Sequence, residues 1–142
     1  GRALACAVWP EQAQDFALSL GCEWAGGSDQ TPPEPFDAAI IFAPVGHLVP
    51  IALRQLTKGG TLVLGGIHMS PIPSMPYELL WGERVIRSVA NLTRQNGIEF
   101  MDLASRMHLE IAVEPTALEQ ANEALLRVKR SEVNGALVLR PQ

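Results

Sequence analysis

Two short stretches of this chain carry residues suited to holding a ligand: Ala43-Pro44-Val45-Gly46 and Gly65-Gly66-Ile67-His68. What they offer is positioning. Small residues and glycine let a ligand come close to the backbone. His68 is tempting as an acid or base, but a lone histidine in a loop is more often structural. Metal chemistry has little to stand on. His47, His68 and His108 show no ligand spacing. Cys6 and Cys22 are too far apart for a CxxC pair and too few for a disulfide framework.

Both stretches follow apolar runs that read as buried strands. Asp37 opens the run Ala38 to Ala43, too short for a helix and too continuous for a half-exposed strand. Gly46 closes the loop, and Leu48, Ile51, Ala52 and Leu56 follow at helical spacing. Lys58 falls in what reads as the last helical turn, where a cation complements the macrodipole, and Gly59 reads as the stop. A second strand, Thr61 to Leu64, ends on Gly65 and Gly66. Two parallel strands joined by a crossover helix put their carboxyl ends on one edge, and open α/β sheets bind ligands there. The loops Ala43–Gly46 and Gly65–Met69 are therefore the first candidates for a site.

Elsewhere the chain alternates in the same way. A strand is expected over Ala3–Val8, a helix over Glu11–Leu20 ending at Gly21, and a short strand over Glu23–Ala25. Residues 26–35, GGSDQTPPEP, form a loop by composition, as does the proline-punctuated stretch from His68 to Pro76. A short helix is expected over Tyr77–Arg84, a strand over Val85–Leu92, a turn over Thr93–Gly97 and a helix over Ile98–Met107. Leu109–Val113 alternates as a strand. Thr116-Ala-Leu-Glu119 has the form of a capping box, starting a helix to about Lys129 with Leu118, Ala121, Leu125 and Val128 inward. A turn at Glu132–Gly135 leads into a last strand, Ala136–Leu139. Alternating strands and helices imply an α/β fold with a parallel sheet.

A length of 142 residues suits one domain. The net charge of −4 and the pI near 5.3 leave no basic stripe for nucleic-acid phosphates. No apolar run approaches the ~20 residues that span a bilayer, and no signal peptide opens the chain. A cytoplasmic protein without nucleic-acid or membrane partners is the expectation.

Taken in order, FDAAIIFAPVG, KGGTLVLGGIHMS, YELLWGER, IRSVANLTR and ALEQANEALLRVKRSEVNGALVL resemble the zinc-type medium-chain alcohol dehydrogenases over essentially the whole chain. The resemblance implies a Rossmann-like doubly wound parallel sheet, truncated before its second strand. Residues 1–107 would be a partial nucleotide-binding domain lacking the first strand and its Gly-rich loop. Residues 108–142 would be a strand–helix–strand returning to the catalytic domain. That upstream domain would hold the zinc. The expected cofactor is NAD or NADP, and the full enzyme would act on a small alcohol or aldehyde. Two alternatives stand beside it: the zinc-free quinone or enoyl reductase branch, and a non-catalytic remnant or interaction module.

By the same resemblance, Trp9 ends the strand that reads the adenosine ribose, and could stack on adenine or simply pack. Neither the Asp that would favour NAD nor an Arg for a 2′-phosphate stands there, though Glu11 is nearby. Ala43, Pro44, Val45 and Gly46 would flank the adenosine; Gly66, Ile67 and His68 would pass the nicotinamide. Asn91, Leu92 and Thr93 would hold the carboxamide, and Arg94 would reach a phosphate or a carboxylate. Ala136 replaces a phosphate-binding Arg found in some members. The Met69–Trp81 stretch resembles a subunit-contact region, so a homo-oligomer is possible. In the sheet order 3-2-1-4-5-6, a missing first strand leaves two neighbours unpaired. Such a chain would be unstable, pair those strands directly, or take a partner into the slot.

Overall fold

The computed structural model describes residues 4–6, 11–109 and 111–141, with backbone alone for residues 4–6, 11 and 12. Trp9, the ends of the strand expected over Ala3–Val8 and the Cys6 and Glu11 side chains lie outside what is described. The chain divides into two compact units between Thr93 and Arg94.

In the first unit, β1 (Leu4–Cys6) pairs in parallel with β2 (Trp24–Gly26), and α1 (Glu11–Ser19) connects them. A separate parallel sheet has the order β3-β4-β5, built from Phe36–Ile41, Leu56–Leu64 and Val85–Ser88. Helix α2 (Leu48–Arg54) crosses from β3 to β4. It buries Leu48, Val49 and Leu53 against Ile41, Leu56 and Leu62, which together form the core. The period-2 geometry of β3 explains the choice: Ala39 and Ile41 turn toward that core, while Ile40 between them is 58% exposed. Among the described residues β1 does not pair with β3, so the direct-pairing alternative is not what this fold shows.

Several sequence expectations give way here. Helix α2 stops at Arg54, and Lys58, Gly59 and Gly60 belong to β4. Phe36 pairs with Leu56 but Ala38 with Thr61, so β4 carries three more residues than β3 over this interval. Gly59 (φ +75°) makes the kink, and its N–H donates to the Gly82 carbonyl at 2.8 Å. Lys58 therefore serves no helix terminus; its Nζ lies 5.5 Å from the Trp81 ring centroid. The expected Tyr77–Arg84 helix shrinks to one 3₁₀ turn, Tyr77–Leu79, because Gly82 and Glu83 both take positive φ. Arg84 instead folds back, donating through Nε and Nη2 to the Leu56 carbonyl. β5 ends at Ser88 rather than Leu92, since its partner β4 ends at Leu64.

The second unit contains α3 (Arg94–Ser105), β6 (Val113–Ala117), α4 (Ala121–Lys129) and β7 (Ala136–Arg140), with β6 and β7 parallel. Helix α3 begins a turn earlier than expected: Gly97 costs a helix only about 1 kcal/mol and does not stop this one. The expected strand at Leu109–Val113 shifts to Val113–Ala117. Thr116 pairs with Leu139 in the ladder, so its backbone is extended and no capping box forms. A 3₁₀ turn at Leu118–Gln120 precedes α4 instead. Leu125 and Val128, expected inward, are 66% and 54% exposed, while Ala124 is the buried residue of that helix.

Glu114 on β6 and Arg127 on α4 form a two-pronged pair, Nη1–Oε1 at 2.6 Å and Nη2–Oε2 at 2.9 Å. The Arg127 hydrogen bond holds the Glu114 carboxyl below the usual glutamate range, and the carboxylate raises Arg127 in turn. A carboxyl lowered by folding adds stability above its unfolded pKa and loses it as pH falls through the folded value. Acid melting curves should therefore show a steeper loss of midpoint in the native chain than in Glu114→Gln, below the ordinary glutamate range. Parallel curves for the two proteins would contradict this. The effect is small because the pair is solvated.

Candidate functional site

The carboxyl ends of β3, β4 and β5 share one edge because the three strands run parallel. Two of the loops leaving that edge are fastened to each other. The Gly65 N–H donates to the Ile41 carbonyl at 2.8 Å, and the Ser70 N–H to the Pro44 carbonyl at 3.1 Å. In return, the Gly46 N–H donates to Ser70 Oγ at 2.9 Å. Glycine is required at this junction. A Cβ at Gly46 would fall inside van der Waals contact of the Ser70 and Pro71 carbonyl oxygens, and one at Gly66 would sit 3.0 Å from the Phe42 oxygen. His68 sits at φ +57°, a left-handed conformation that turns the chain back toward Ser70.

The structure thus brings Ala43, Pro44, Val45 and Gly46 together with Gly66, Ile67 and His68. Asn91, Leu92 and Thr93 follow β5 on the same edge, where the Val89 N–H still reaches the Leu64 carbonyl at 3.1 Å. Asn91 Oδ1 accepts from the Leu92 N–H at 2.8 Å. Arg94 opens α3 in the second unit. Ser70 is the residue that sequence reasoning missed: nothing in its spacing marks it, and only the folded contact with Gly46 reveals its part.

The rim formed by these loops is apolar and exposed. Phe42, Ile67 and Leu92 are 78%, 69% and 79% exposed, beside backbone groups and a few short polar side chains. That mixture suits a flat heterocycle better than a metal or a strongly charged ligand. Among the described residues, no group of three His, Cys, Asp or Glu side chains lies close enough to hold a metal ion. No helix among them is long and apolar enough to cross a membrane. A crevice of about 500 Å³, lined by Pro32, Pro33, Ile51, Arg54 and Gln55 among others, opens beside the segment entering β3. It belongs to the amino edge of the sheet, away from the fastened loops.

No family model matches the chain. A probable alcohol dehydrogenase, AdhA, of Mycobacterium tuberculosis is 43% identical over 129 residues, 90% of this chain and 37% of that protein. An alcohol dehydrogenase of Geobacillus stearothermophilus is 32% identical over 90 residues, 63% of this chain and 26% of that protein. The chain spans between 26% and 39% of the length of the curated relatives it matches. Among solved structures, a cinnamyl alcohol dehydrogenase of Sorghum bicolor matches 96% of this chain and 40% of its own, at TM-score 0.82 and 18% identity. Escherichia coli YhdH with bound NADPH matches 97% of this chain and 46% of its own, at TM-score 0.76 and 14% identity. At such identities the structural likeness is one of fold, and it bears out the Rossmann-like α/β class.

Proposed function

Because the chain belongs to the alcohol dehydrogenase family, we propose that it forms the coenzyme-facing wall of an NAD(P)-dependent alcohol dehydrogenase of the zinc type. The observation that carries this reading is the pair of glycine-bearing loops fastened together at the carboxyl edge of a parallel sheet. The loops Ala43–Gly46 and Gly66–His68 would line the dinucleotide, with Gly46 and Gly66 keeping the backbone close to it. The exposed apolar rim at Phe42, Ile67 and Leu92 would cover its flat rings. Asn91 to Thr93 would hold the carboxamide that orients the nicotinamide face, and Arg94 would meet a phosphate or a carboxylate. Trp9 would complete the adenosine end.

In the complete enzyme, zinc would polarise the alcohol oxygen as a Lewis acid. The described residues do not fit that ion, so on this reading its ligands come from the part of the protein this chain does not span. On this reading the residues here would bind and orient the coenzyme and perform no bond-making step themselves. Residues 108–142 would return to that other part.

The test is a titration of the purified chain with NADH and, separately, NADPH, following reduced-nicotinamide fluorescence. Saturable enhancement with one of the two is the expected result, and it would reveal the preferred coenzyme. A folded chain giving no saturable response to either would overturn the reading in favour of a non-catalytic module.

A further inference from the structure

Two Asn-Gly pairs stand in this sequence, Asn96-Gly97 and Asn134-Gly135, and the fold treats them oppositely. Asparagine followed by glycine carries a reaction of its own. The amide nitrogen of the second residue attacks the side-chain carboxamide carbon of the first, and glycine puts no side chain in the way. Access to that reaction depends on what holds the two residues. Asn96 and Gly97 lie inside α3, where helical dihedrals keep the Gly97 nitrogen away from the carboxamide. Asn134 and Gly135 lie between α4 and β7, outside either element, and both are exposed. Among the described residues, no hydrogen bond engages the Asn134 carboxamide or the Gly135 N–H. The two remaining asparagines lack the glycine. Asn122 sits within α4 before Glu123, and Asn91 precedes Leu92, whose N–H already donates to Asn91 Oδ1.

The backbone just after Asn134 is tightly seated. Gly135 takes φ +94°, and a Cβ on it would run into the Ala112 carbonyl and Cβ. One residue on, the Ala136 N–H donates to that same Ala112 carbonyl at 3.0 Å. This bond opens the ladder whose first pair is Val113–Ala136, and among the described residues β6 and β7 pair only with each other. We propose that Asn134 is a site of self-modification, whose conversion to isoaspartate unfastens the start of β7. The Gly135 nitrogen, losing its proton to solvent base, bonds to Asn134 Cγ. The Cγ–Nδ2 bond breaks, and ammonia leaves with a proton from water. A second water then opens the five-membered imide. Opening at Cγ gives aspartate; opening at the main-chain carbonyl gives isoaspartate, with the chain now running through Cβ and Cγ. No oxidant or reductant takes part. The longer path adds a main-chain carbon and a carboxylate two residues before the first pair, where Ala112 leaves no room to absorb it. The chemistry is independent of whether a nucleotide binds.

The experiment incubates the purified 142-residue chain at mildly alkaline pH and follows the peptides around both Asn-Gly pairs by mass spectrometry. Conversion is read as the mass difference between amide and acid, and isoaspartate as a separately eluting form of that acid. In the folded chain Asn134 should convert at least about tenfold faster than Asn96, which reacts only when α3 opens locally. In strong urea the two rates should converge, because only the shared dipeptide is left. The Ala136 and Val138 amides face β6 by the alternation of a parallel ladder, and should lose hydrogen-exchange protection in step with isoaspartate. Asn134→Gln keeps a carboxamide but would have to close a six-membered ring. Asn134 is not among the positive-φ residues, so glutamine fits its backbone. That variant should stay unmodified and keep both amides protected through the same incubation. Four results would overturn the proposal: equal rates at the two pairs in the folded chain, an Asn134 that stays intact there, isoaspartate accumulating with β7 protection unchanged, or the same loss of protection in Asn134→Gln.

Discussion

Gly46→Ala is expected to separate the two loops at the carboxyl edge and abolish any response to NADH or NADPH. The added Cβ would overlap the carbonyl oxygens of Ser70 and Pro71. Both belong to the backbone, so neither can swing aside as a side chain would. Gly46 is also buried, and its N–H is committed to Ser70 Oγ. Relief requires the Ser70 segment to withdraw, which breaks that bond and the one from the Ser70 N–H to the Pro44 carbonyl. Overpacking of this kind costs about 1–3 kcal/mol, with the lost hydrogen bonds adding to it. Urea unfolding should show the lower midpoint, and the coenzyme titration the lost site. An unaltered midpoint with native binding would mean that the loops are not joined as described.

Leu53→Ala is expected to be the most destabilising single truncation in the first unit. Leu53 is 0% exposed on α2, in a core where, among the described residues, five others are buried and only Val49, Leu56 and Leu62 of them are as fully enclosed. Removing most of a buried leucine costs about 2–5 kcal/mol, the spread reflecting how far the surroundings collapse. Collapse is limited here, because α2 is held between the connections to β3 and β4 and cannot slide far. With total stabilities of domains near 5–15 kcal/mol, the loss is a large share of what holds the sheet together. Equilibrium denaturation with the slope unchanged is the measurement. A shift worth under about 1 kcal/mol would show that the core lies elsewhere.

The strands were legible because their apolar character is written locally, although β3, expected to be buried, encloses only Ile41 and leaves Ile40 58% exposed. Ala38 to Ile41 and Thr61 to Leu64 are continuous apolar runs, and both pair as expected. From them followed the crossover, the shared carboxyl edge and the two glycine loops. What failed were local signals with a tertiary competitor. Lys58-Gly59 carries the chemistry of a helix end, yet Gly59 bonds to Gly82 and Lys58 rests by Trp81, both of them distant in sequence. Thr116–Glu119 spells a capping box, but pairing with Leu139 holds Thr116 extended. Leu125 and Val128 have helical spacing, which says that a face is apolar and not that anything covers it. Ser70 was invisible for a simpler reason: a hydroxyl that binds a glycine amide 24 positions away leaves no periodic trace.

The extra residues of β4 bear on how this protein can change. Between Phe36 and Ala38 the partner strand spends its surplus, and from Ala38–Thr61 to Ile41–Leu64 the register is regular again. Insertions or deletions around Thr57–Gly60 are thus absorbed at the amino edge before they reach the frame of the last four pairs. Length can drift in this stretch over evolutionary time, or be altered deliberately to carry a tag, while the opposite edge keeps its alignment.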